Sequence, residues 1–105
     1  MSYVENSIAL FNEKARSVFI EYAASYQEKE ELYLKGTHIL RNRVLNGLVE
    51  MMMQQMKSEM EPILKDCKAN APNEYAVAKA KMTLLYDHYV ARFRSLNFDL
   101  GKAPE

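Results

Sequence analysis

Apolar residues recur along the first third of the chain at Val4, Ile8, Phe11, Ala15, Val18 and Tyr22, alternating steps of four and three. That spacing is a heptad seam, the mark of a helix packed lengthwise on a nearly parallel neighbour. Phe19, Tyr26 and Tyr33 continue an adjacent stripe. Ser2 and Glu5 stand at capping-box spacing, so the helix is predicted to start at residue 3. Lys35 followed by Gly36 reads as a basic last turn with a glycine cap, which closes the helix near 35.

A second helix is predicted from 38. Leu45, Val49, Met52, Met56, Met60, Ile63 and Cys67 keep the same rhythm. Val44, Leu48, Met51 and Met53 widen it to an almost circumferential apolar girdle over 44–56. A helix apolar all round is buried on more than one side. Pro62 has no backbone donor and is expected to kink or break the helix near Glu61, leaving a short extension to 69. Asn70-Ala71-Pro72-Asn73 is the strongest turn signal in the chain. A third helix follows over 73–96 on Tyr75, Ala78, Met82, Leu85, Tyr89, Phe93 and Leu96, and 98–105 is left as an aperiodic tail.

The prediction is an all-α chain: an antiparallel bundle of three helices in one domain, 1–97, with long first and second helices. Two neighbours cannot cover a girdle on every side. Self-association into a homodimer is the expected remedy, with Leu45, Leu48, Val49, Met52, Met53, Met56 and Met60 as its apolar surface. Tyrosine pairs a large apolar face with a polar tip and is enriched at interfaces. Tyr22, Tyr26 and Tyr89 therefore join the expected interface set.

Composition narrows the function. The 105 residues carry 14 basic and 14 acidic side chains, so the long-range attraction of a nucleic-acid or acidic-membrane binder is missing. Nucleic-acid association would need Arg41, Lys79 or Arg92 gathered by the fold. No run approaches the length of a membrane span, and charges at Glu5, Glu13, Lys14 and Arg16 interrupt any signal-peptide core. A single cysteine, Cys67, rules out an internal disulfide. These features imply a soluble cytoplasmic protein, with export by a signal-less route as the alternative.

Candidate chemistry is thin. His38 and His88 fall in no ligand-pair spacing, and no phosphate loop or nucleophile motif is present. Neighbouring Tyr86, Asp87 and His88 point in different directions on a helix. Lys65 and Lys68 flank Cys67, but nothing marks a base or an oxyanion site. No enzyme, cofactor or metal is expected. Met52, Met56 and Met60 lie four apart and allow three readings: core packing, an adaptable partner groove, or Cu(I) ligation. The expected function is a non-enzymatic interaction module, adaptor or chaperone-like, with a protein as partner. The alternatives are a bundle that holds a small ligand or metal between its helices, and a nucleic-acid-associated protein.

Overall fold

The computed structural model describes residues 2–28 and 38–101, with side chains over 2–28 and 43–96. Three α-helices account for nearly all of it: α1 (Tyr3–Glu28), α2 (His38–Asn70) and α3 (Tyr75–Gly101), with a 3-10 turn at Pro72–Glu74. Among the described residues there is no strand. The bundle is a rod, 52 × 19 × 17 Å. Its length matches the ~50 Å of a 33-residue helix at 1.5 Å per residue, so α2 sets the long axis.

The start of α1 is the predicted capping box. The Glu5 N–H donates to Ser2 Oγ at 3.1 Å, and the Ser2 N–H donates to Glu5 Oε2 at 3.4 Å. Asn6 N–H closes the first turn on the Ser2 carbonyl at 3.1 Å. The expected end of this helix at Lys35–Gly36 lies outside the described residues.

Helix α2 continues through Pro62, so of the kink or break expected near Glu61 the break does not occur. The proline removes one backbone donor, at a cost of roughly 3 kcal/mol in a helix interior. Ile63 and Cys67, just beyond it, are 7% and 0% exposed. Burying such side chains stabilises by about 1.5–3 kcal/mol each, enough to hold the helical path past the proline. The helix ends where the turn signal stands. Ala71 N–H reaches the Cys67 carbonyl at 2.7 Å, and Glu74 N–H reaches the Ala71 carbonyl at 3.0 Å. Pro72 sits at the start of the 3-10 turn, where its missing donor costs nothing. Helix α3 therefore begins at Tyr75 rather than 73, and its backbone stays helical to Gly101, past the expected end at 96. Once nucleated, a helix propagates at little cost even without an apolar period.

Side-chain contacts fix the directions. Tyr3 meets Asp66, and Tyr22 donates to Gln55 at 3.0 Å, so α1 and α2 run antiparallel. Tyr89 donates to Asn12 at 2.7 Å and Tyr26 packs on Phe93 at 6.0 Å, so α1 and α3 run parallel. The topology is up-down-up, and every helix touches both others. One core joins them. Phe11, Met52, Met56, Met82 and Phe93 have no exposed surface, and the seams of all three helices supply the rest. At the upper end Phe19 adds an aromatic contact, with ring centroids 5.7 Å from Tyr89 and 6.2 Å from Phe93.

Candidate interaction surfaces

The expected interface on α2 is spent inside the chain. Leu45, Leu48, Val49, Met52 and Met56 are all buried against α1 and α3, and Met53 and Met60 are half-buried at the edge of the same core. Of the girdle, Met51 alone stands well out, 56% exposed. Two neighbours do cover the girdle, because its apolar positions form a wide stripe with one outlier. The tyrosines are also committed. Tyr26 is fully buried, while half-buried Tyr22 and Tyr89 give their hydroxyl protons to Gln55 and Asn12.

The polar candidates do not converge. Tyr86 is buried while Asp87 and His88 are exposed, so the three neighbours form no cluster. Cys67 is buried and Lys65 and Lys68 are exposed, which leaves the thiol out of reach of solvent. Among the described residues no three His, Cys, Asp or Glu side chains gather as metal ligands. Lys79 and Arg92 stand thirteen positions apart on α3, ~20 Å along its axis, and the Arg92 guanidinium lies 5.8 Å over the Phe19 ring. The side chain of Arg41 lies outside the described residues. No described helix is long and apolar enough to cross a membrane.

Each inter-helix face has its own character. Between α1 and α2, a shallow groove of about 290 Å³ carries Glu13, Glu21 and Glu59 against Lys14. Lys14 is paired with Glu59 at 3.4 Å. Between α1 and α3, a 340 Å³ groove is lined by Arg16, Phe19, His88, Tyr89 and Arg92, whose aromatic rings already belong to the core edge.

The face between α2 and α3 runs onto the outer side of α3. A cavity of about 590 Å³ is lined by Glu61, Pro62, Leu64, Lys65, Lys68, Tyr75 and Lys79. Tyr75 and Lys79 are shared with a second, strongly apolar hollow of about 570 Å³, which runs on along Ala76, Ala80, Thr83 and Leu84. Leu84 is 69% exposed and nearby Val77 50%. The Thr83 hydroxyl donates back to the Lys79 carbonyl at 2.7 Å, so it adds no open donor to the apolar floor. Three lysines rim this groove against one glutamate, and no ion pair among the described residues neutralises them. The Lys68 ammonium lies 5.7 Å over the Tyr75 ring.

Sequence reasoning passed over this groove, although the signal was present. Helix α3 has more apolar residues than one seam can use: Ala76, Val77, Ala80 and Leu84 all fall off the seam. A search against family models, curated proteins and solved structures found no match in any of the three.

Proposed function

We propose that this chain is a non-enzymatic helical interaction module, adaptor or chaperone-like, that holds a protein partner on the groove between α2 and α3. The observation that carries the reading is the apolar surface that starts at Leu64 and Tyr75 between α2 and α3 and runs onto Ala76, Ala80 and Leu84 on the outer face of α3, open to water. Contiguous exposed apolar surface rimmed by polar groups marks interaction sites, whereas single exposed apolar residues such as Leu10 and Ile20 are ordinary. Met52 and Met56, with Met60 at the edge, support the module from within, as core. Leu45, Leu48, Val49, Met52 and Met56 are already buried within the bundle, so the girdle by itself does not call for the expected homodimer, which enters as an outcome of the test.

The test places a photoreactive amino acid at Ala80 in the native host, with a control at exposed Ser17 on the opposite face. A discrete polypeptide adduct from position 80, absent at 17 and lost with Leu84→Glu, is the expected result. Adducts of equal intensity from both positions, or none from Ala80, would overturn the reading. An Ala80 adduct of twice 12.2 kDa would make the partner a second copy.

A further inference from the structure

Taking the α2/α3 groove as the docking surface, we infer that its occupant is an acidic amphipathic helix of about three turns. The mode of binding follows from what the groove lacks. An added strand needs a sheet edge with free backbone donors and acceptors, and the described residues contain no strand. A polyproline ligand needs a row of aromatic slots, and this floor offers the single ring of Tyr75. A trough between α2 and α3 that opens onto an apolar outer face of α3 suits a further helix, read through anchors at i, i+4 and i+7. The small side chains of Ala76 and Ala80 let a helix backbone approach closely, and Leu84 closes the far end as an apolar contact. From Tyr75 to Leu84 the floor extends ~14 Å, the rise of two and a half turns.

The charge of the occupant follows from the rim. Lys65, Lys68 and Lys79 face the groove with only Glu61 opposing them, and none is paired with a carboxylate among the described residues. A helix whose flanks carry glutamate or aspartate would pair with these ammonium groups while its apolar stripe covers the floor. Complementary rims of this kind set orientation and reject partners of the wrong sign. The α1/α2 face, with its three glutamates, would repel the same ligand.

The experiment uses two fluorescein-labelled peptides of about 18 residues, long enough to hold helix, with leucines at i, i+4, i+7 and i+11. One carries glutamate at the flanking positions, the other lysine. Fluorescence anisotropy and amide chemical shifts of the whole chain are the readouts. The expected result is binding of the glutamate peptide alone, with shifts confined to 61–84 and weakening as salt rises from about 0.05 to about 0.5 M. A Lys65→Glu/Lys68→Glu/Lys79→Glu variant, folded by circular dichroism, should lose about tenfold or more for the glutamate peptide and gain the lysine peptide. Equal binding of both peptides, or shifts on the α1 face, would overturn the acidic-helix inference. If neither peptide binds while the Ala80 adduct persists, the occupant's chemistry is wrong and the docking surface stands. Loss of the adduct as well removes both. Binding of anionic phospholipid vesicles without the peptide would assign the groove to a membrane surface and refute the inference.

Discussion

The hydroxyl of Tyr86 offers a sharp test of the core. The residue is 8% exposed, and its oxygen is buried without a hydrogen-bond partner. Leaving such a group unsatisfied costs about 1–3 kcal/mol, because its water partners are lost and not replaced. Replacing Tyr86 by Phe removes that cost. The void left behind is about one oxygen atom, roughly 10 Å³, worth only ~0.2 kcal/mol. The Lys57 ammonium, 5.8 Å above the ring, keeps an aromatic face to sit on. The balance predicts that Tyr86→Phe stabilises the bundle by about 1 kcal/mol, a rise of about 4–8 °C in Tm for a domain this size. Tyr89→Phe is the matched control. Its hydroxyl donates to Asn12 at 2.7 Å, so the same deletion should destabilise by about 1 kcal/mol. Urea unfolding followed by far-UV circular dichroism measures both, and an unchanged m-value shows that the unfolded state is not responsible. A Tyr86→Phe protein less stable than the parent by 1 kcal/mol or more would refute the reasoning, since its hydroxyl must then be satisfied by a buried water.

Three further outcomes follow from the same geometry. Val18 is 5% exposed in the α1 seam, so Val18→Asp buries an unpaired charge and should abolish cooperative unfolding, whereas Glu50→Lys on the exposed face of α2 should leave Tm unchanged. Replacing Met52, Met56 and Met60 by Leu conserves apolar volume in a core, so each change should cost less than about 1.5 kcal/mol while the Ala80 adduct persists; loss of the adduct in a folded variant would return these residues to the partner surface. The Tyr3 phenol donates to the Asp66 carboxylate, which raises its pKa above the ordinary 10.0. The folded state therefore holds that proton more tightly than the unfolded chain, and the contribution is intact below pH 10 and lost as pH rises beyond it. The urea midpoint difference between parent and Tyr3→Phe should accordingly hold up to about pH 10 and shrink as pH rises beyond it, and a constant difference would show that Asp66 does not hold the proton.

The helical seams were legible because each repeats the same residue type along one face. Val4, Phe11, Ala15 and Val18 on α1 are buried as the spacing predicts, and so are Leu45, Val49, Met52, Met56, Ile63 and Cys67 on α2. The α1 cap and the Asn70–Asn73 turn were legible for a different reason: both are local, closed by hydrogen bonds within four residues. Pro62 is less legible because its effect is a balance. A local rule predicts a kink or a break, and tertiary burial of Ile63 and Cys67 outweighs the break. Ser7, buried at 8%, lies on the seam side of α1 without an apolar side chain to announce it.

Judged by number rather than by angle, the apolar residues of α2 look like a girdle wider than the one the bundle buries. At ~100° per residue, Leu45, Leu48, Val49, Met52 and Met56 fall within an arc of about 100°, which two neighbouring helices cover with ease. Val44 and Met53 lie at its margins and are half-buried, and Met51 lies beyond and is exposed. The same reckoning on α3 gives the opposite result. Ala78, Met82, Tyr86 and Phe93 share one arc of about 80° and are buried, while Ala76, Ala80, Leu84 and Val77 occupy a second arc on the far side. Among the described residues no other helix covers that second arc, and the helix beside it, α2, brings lysines to its edge. An apolar arc matters for binding only when the bundle has no helix left to place against it. On α2 the bundle has two; on the outer face of α3 it has none among the described residues.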